Sequence, residues 1–117
     1  MTIDSNEFFK QRMEWLGAGD VDALVSQYAP DAEVVRFLGA ARGLDEIRAY
    51  LIGFLAAHQS HRLISLDQIQ QSDRSLMWEA TIETAAGPLQ AYDVFVFDGD
   101  GKIWRQFPGI QGYWGAS

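Results

Sequence analysis

The sequence contains no cysteine and two lysines among its 117 residues. Without thiols, disulfides, thiolate metal sites and a cysteine nucleophile are all excluded. A net charge of −7 with no basic cluster argues against nucleic acid or an anionic membrane as partner, since both are recognised through clustered positive charge. No apolar run approaches the roughly 20 residues that a membrane-crossing helix needs. The first residues, Met1-Thr-Ile-Asp-Ser-Asn-Glu7, lack a basic segment followed by an apolar one, so no secretion signal is visible and a cytoplasmic protein is expected. What remains is 48% hydrophobic and 21% charged, which suits one globular domain over 1–117 rather than a disordered chain.

Periodicity divides this domain. Asp4, with Glu7 at capping-box spacing, opens a helix whose stripe is Phe9, Met13 and Leu16, and Gly17-Ala-Gly19 stops it. Asp20 caps a second helix with Val21, Leu24, Val25 and Tyr28 on its apolar face, ended by Pro30. Glu33–Leu38 reads as a short strand, and a turn flanked by Gly39 and Gly43 leads to a third helix from about Leu44 to about His58. Leu63–Ile69, Leu76–Thr84, Leu89–Phe97 and Lys102–Phe107 follow as strands, the last two joined by Asp98-Gly-Asp-Gly101, a strong hairpin signal. Phe107-Pro-Gly-Ile-Gln-Gly-Tyr-Trp-Gly115 is expected to break the final strand, with Trp114 as a hydrophobic anchor. Helices first and consecutive strands afterwards indicate an α+β fold, with helices covering one face of an antiparallel sheet.

The two-residue period of a strand puts Asp93 on the same face as Phe95 and Phe97, and Tyr92, Val94 and Val96 on the other. A carboxyl beside two rings is the strongest candidate for chemistry. In an apolar surrounding its pKa rises and it exchanges protons near neutral pH, whereas a nearby Arg36 would hold it ionised. By the same alternation Trp78, Ala80 and Ile82 point inward and Glu79 and Glu83 away. His58 and His61 are three apart at a helix end. That spacing does not make a metal site, and a histidine capping the helix C-terminus is the favoured reading, with His58 at a pocket mouth as the other.

Three stretches resemble the nuclear-transport-factor-2-like superfamily, in its SnoaL-like and ketosteroid-isomerase-like branch. Gly19-Asp-Val-Asp-Ala-Leu-Val-Ser-Gln-Tyr-Ala-Pro-Asp-Ala-Glu-Val-Val35 is similar to its second helix and first strand. Gly43-Leu-Asp-Glu-Ile-Arg-Ala-Tyr-Leu51 resembles its third helix, and Tyr92-Asp-Val-Phe-Val-Phe-Asp-Gly-Asp-Gly-Lys-Ile103 its closing hairpin. The resemblance spans roughly Phe8 to Trp114. It implies a cone of curved sheet and three helices around an apolar pocket, commonly as a homodimer through the sheet. Ketosteroid isomerase uses an aspartate base with an oxyanion hole of a tyrosine and a protonated aspartate. The protonated position matches Asp93, the base position falls on Arg36 and the tyrosine position near Arg12. Arginine stays protonated and cannot serve as a carboxylate-type base, so steroid isomerisation by that route is not expected.

The candidate catalytic residues are therefore Asp93, Arg36 and Tyr28, with Arg12, Trp15, Tyr50, Phe54, His58, Trp78, Phe95 and Gln106 as candidate pocket residues. No metal and no cofactor is expected. The leading expectation is a small enzyme acting on an apolar oxygenated molecule by proton transfer or water addition. The alternatives are a non-catalytic small-molecule binder of the same fold and an association module whose interior is filled by Phe37, Phe54, Phe95 and Trp78.

Overall fold

The computed structural model of the protein describes residues 3–57 and 62–113, the last three as backbone. Three helices, α1 (Ser5–Ala18), α2 (Val21–Val25) and α3 (Gly43–Ala57), accompany six strands: β1 (Tyr28–Arg36), β2 (Gly39–Arg42), β3 (Arg62–Gln71), β4 (Ser75–Thr84), β5 (Gly87–Phe97) and β6 (Ile103–Tyr113). The strands form one sheet in the order β2-β1-β6-β5-β4-β3, antiparallel throughout except for the β1–β6 pair. The sheet carries its helices on one face, so the fold is α+β, as expected. Among the described residues no helix is long and apolar enough to cross a membrane.

The helix ends follow their capping residues. The Asp4 carboxylate accepts from the Glu7 amide and the Asp20 carboxylate from the Ala23 amide, each at 3.1 Å. Gly19 takes a left-handed φ of 69° to end α1. The core lies between helices and sheet: Phe9, Leu24, Ile47 and Leu51 from the helices meet Val34, Leu76, Trp78, Phe95, Phe97 and Ile103 from the strands.

Several boundaries differ from the sequence reading. α2 ends at Val25, and Tyr28 begins β1 instead of completing the helix face. Pro30 lies inside that strand, where the β1–β6 register shifts between Tyr28 and Glu33. An irregular stretch tolerates proline's missing N–H, so Pro30 follows the helix end without causing it. Phe37 and Leu38 form a fully exposed turn, and Gly39–Arg42 pairs back on β1 as β2. Phe37 therefore does not fill the interior. β6 is not broken by Pro108 and Gly109: it continues to Tyr113 along β5. Trp114, His58 and His61 lie outside the described residues.

Candidate functional site

The site grows from the inward face of β5. Phe95 and Phe97 are buried there, and Asp93 projects to the same side, half-buried, with Trp78 of β4 and Pro108 of β6 directly across the two ladders. As expected, Trp78, Ala80 and Ile82 are buried while Glu79 and Glu83 turn away from the core. Phe8, Phe9, Trp78, Phe95 and Phe97 make a continuous ring cluster, with centroids 4.8–6.4 Å apart and mostly edge-to-face or tilted contacts.

Across this apolar floor runs a buried chain of polar groups. Arg12, reaching in from α1, donates from Nη1 to Gln27 Oε1 and from Nη2 to the Tyr28 hydroxyl, both at 2.8 Å. Its guanidinium lies 5.5 Å from the Tyr28 ring centroid and 5.0 Å from that of Phe95, a cation–π setting that offsets its loss of hydration. The Tyr28 hydroxyl donates in turn to Gln106 Oε1. Gln106 Nε2 donates to Asp93 Oδ1 at 2.8 Å, and the Trp78 side chain also hydrogen-bonds the Asp93 carboxyl.

Burial pushes the Asp93 pKa up to about 6. The opposing influences of Arg12, the Gln106 bond and the Trp78 bond are smaller. Burial also raises Tyr28, against the pull of Arg12. Tyr50, on the inner side of α3, is raised by burial, then by the charge of Asp93 and by Tyr28, with Arg12 and Arg36 opposing. Tyr50 stacks on Phe54 at 6.4 Å, and the Arg36 guanidinium sits 4.8 Å from the Tyr50 ring centroid.

The sequence-predicted residues thus divide. Asp93, Tyr28, Gln106, Arg12, Trp78 and Phe95 meet directly, and Tyr50 lies beside them with Phe54 and Arg36. Arg36 and Asp93 do not form an ion pair: β6 separates their strands, and Arg36 faces Tyr50 instead. Trp15 packs half-buried at the edge of the core. Gln27 was missed by the sequence reading. It carries no motif, and its role as an acceptor for Arg12 depends on the turn after α2 folding back on α1. Cavities of about 550 and 390 Å³ lie elsewhere, one by the Asp73–Arg74 and Asp98–Gly101 turns and one between α1 and β3; neither is lined by Asp93.

Known structures share this architecture. A SnoaL-like protein of unknown function from Burkholderia thailandensis has a TM-score of 0.78 at 21% identity, covering 92% of this chain and 95% of its own. An NTF2-like protein from Anabaena variabilis reaches 0.81 at 14% identity, covering 96% and 95%. A candidate isomerase of the SnoaL-like family from Agrobacterium tumefaciens reaches 0.75 at 15% identity, covering 92% and 97%. No curated protein matches the sequence. The family model of the SnoaL-like domain matches residues 9–106, from the first half of α1 to the first part of β6, and so includes the polar chain from Arg12 to Gln106. The chain belongs to the SnoaL-like domain family and shares the fold of an NTF2-like protein.

Proposed function

We propose that this protein is a small enzyme that moves a proton on, or adds water to, an apolar oxygenated molecule, with Asp93 as the acid/base. One observation carries this reading. The Asp93 carboxyl sits among aromatic rings, its two described side-chain hydrogen bonds come from neutral donors, Gln106 and Trp78, and its pKa lies at about 6. A group with those properties is populated in both protonation states near neutral pH and can take a proton from carbon or give one to oxygen. A carboxylate locked to an arginine could do neither as readily.

The other polar residues take roles that follow from their bonds. Tyr28 has one hydroxyl proton, and it is committed to Gln106. Tyr28 is therefore a positioning residue in this proposal, as are Gln106 and Arg12. The polarising hydroxyl is assigned to Tyr50, which lies near Asp93 and makes no hydrogen bond with any described residue. In the proton-transfer form, Asp93 as carboxylate removes a proton from the carbon next to a carbonyl, and the electron pair moves onto the carbonyl oxygen, stabilised by the Tyr50 O–H. Return of the proton to another carbon completes an isomerisation. An enzyme on this fold is in keeping with two structural relatives, the candidate isomerase and a candidate polyketide cyclase from Sinorhizobium meliloti that shares the fold at a TM-score of 0.70, 20% identity and coverage of 83% and 88%.

Exchange of α-protons of small cyclic ketones in D₂O, followed by NMR, tests the proposal. The wild-type protein should accelerate exchange and Asp93→Asn should not. Equal rates for the two proteins at matched stability would overturn the assignment of Asp93.

The outer face of the sheet supports a second part of the reading, self-association. Met77, Val94 and Phe107 are cross-strand neighbours there, and Val35 lies on the same side of β1. Met77 is 52% exposed and Phe107 38%. A contiguous apolar row of this kind on a sheet face is a protein-contact surface by its physical character. We propose a homodimer through it.

A further inference from the structure

The charge inside this acidic chain is positive and unbalanced. Arg12 is buried and Arg36 half-buried, and one carboxyl, Asp93, shares their space. The ion pairs among the described residues are Arg42–Glu33, Arg48–Asp22 and Arg105–Glu33, and none of them involves these three groups. The fork of Arg12 is occupied by Gln27 and Tyr28. That of Arg36 is not. It makes no hydrogen bond or ion pair with any described residue, its Nε is enclosed without a partner, and its guanidinium lies over the Tyr50 ring. Buried donors are almost always satisfied, and a charged one left bare costs more than a neutral one. An enclosed guanidinium N–H with no acceptor marks a place where an acceptor from outside belongs.

The register says where that acceptor would sit. Val34 of β1 pairs with Gln106, and Arg36 follows on the same face of the strand. Pro108, two residues beyond Gln106, pairs with Asp93. Arg36 and Asp93 therefore face the same side of the sheet from the two strands flanking β6, about 10 Å apart at the backbone by two strand spacings. Pro108 lies between them on β6, and the Tyr50 ring lies against Arg36. One guanidinium fork matches one carboxylate, to which it can donate two parallel hydrogen bonds. A dianionic phosphate would ask for more donors than Arg36 offers and would face Asp93 with a second negative charge.

We infer that Arg36 receives a carboxylate of the ligand, so that the substrate is a cyclic or aromatic carboxylic acid whose reacting carbon lies a few bonds from its acid group, over Asp93. The inference rests on the reading of this interior as a ligand site, and narrows its substrate class from oxygenated molecules in general to organic acids.

Paired probes separate the two claims. Benzoate against benzamide, and indole-3-acetate against indole-3-acetamide, keep shape while removing charge, and cyclohexanone reports on binding near Asp93 without a carboxylate. Binding is measured by ligand-observed NMR and calorimetry on wild type, Arg36→Gln and Arg36→Lys. Each acid should bind wild type at least about tenfold more tightly than its amide, a preference within the reach of one charge-assisted bidentate pair. Arg36→Gln should abolish the preference while leaving the affinity for cyclohexanone unchanged, and Arg36→Lys should restore part of it. Acids and amides binding equally, or a preference that survives Arg36→Gln, would overturn the inference and leave the ligand-site reading standing. Failure of all the probes, cyclohexanone included, would overturn the ligand-site reading with it.

Discussion

Gln106 reaches Asp93 diagonally across the β5–β6 ladder, donating from Nε2 to Oδ1 at 2.8 Å while its own amide oxygen accepts from Tyr28. The two bonds fix the amide: turned over, it would place an oxygen lone pair against the carboxylate. The chain Arg12–Tyr28–Gln106–Asp93 therefore carries a direction, from a permanent cation through two neutral groups to the half-buried carboxyl of Asp93. The cation stays close enough to temper the acid and too far to lock it.

Asp93→Asn should stabilise the protein at alkaline pH. The native pKa of about 6 lies above the ordinary 3.8, so the folded state favours the neutral carboxyl. That contribution is fully present below the ordinary pKa and is lost as pH rises through about 6. Asparagine removes the loss. The shift corresponds to at most about 3 kcal/mol. Melting temperatures at pH 8 should favour the variant, and the gap should shrink at pH 4.5. A variant less stable than wild type at pH 8 would show that the ionised carboxylate is held more firmly than its bonds suggest.

Tyr28→Phe should be costly although it removes a single oxygen. It leaves an Arg12 N–H and the Gln106 amide oxygen unpaired in the interior, a loss of about 1–3 kcal/mol for such groups. Pairing it with Gln106→Leu in a double-mutant cycle, read by denaturant unfolding, should give a coupling above about 0.5 kcal/mol, as for residues in one network. Gln106→Leu alone removes a donor that favours the charged carboxyl, so the Asp93 pKa should move further up, measurable by NMR titration. Additive losses in the cycle would mean that the chain is not one unit.

Much of this arrangement was legible in the sequence. Strand alternation was enough to put Asp93 with Phe95 and Phe97, because a two-residue period leaves no freedom once one face is buried. Asp4, Asp20 and Gly19 marked helix ends for reasons local to the chain. Tyr28 was misplaced because its spacing from Val21, Leu24 and Val25 fits a helix face, while its strand conformation comes from pairing with Ile103, far along the chain. Pro108 and Gly109 looked like breakers for the same reason: the long partner β5 supplies the contacts that carry β6 through them. The Arg12 and Gln27 contact is tertiary, and no local pattern encodes it.

Gly109 shows how the strand passes its glycine. It faces Tyr92 across the ladder on the outer side of the sheet, and a β-carbon on Gly109 would collide with the phenol end of Tyr92, 2.0 Å from Cζ. The ring fills the space a side chain would take, as aromatic residues do over glycine in strands. Gly109→Ala should therefore destabilise by about 1–3 kcal/mol, the range for overpacking. In a Tyr92→Ala background the same change should cost little, because nothing remains to collide. Equal costs in both backgrounds, measured by urea unfolding, would place the strain in the backbone instead.

The proposed dimer rests on a row of side chains that the sheet leaves in water. Phe107→Glu sets a carboxylate beside Val94 and Met77 without touching the inward face, where Gln106 and Asp93 lie. In a monomer such a surface change should be nearly neutral, within about 0.5 kcal/mol. In a dimer each copy would bring a buried, unpaired charge to the interface, so association should weaken by at least a hundredfold, in line with a loss of several kcal/mol. Sedimentation equilibrium should then show wild type as a dimer at micromolar concentration and the variant as a monomer. Stability separates this from simple misfolding: the melting temperature of wild type should rise with protein concentration, while that of the variant should not. A wild type that sediments as a monomer would remove the dimer from the reading and leave the Asp93 chemistry untouched, because the residues proposed for it all come from one copy of the chain.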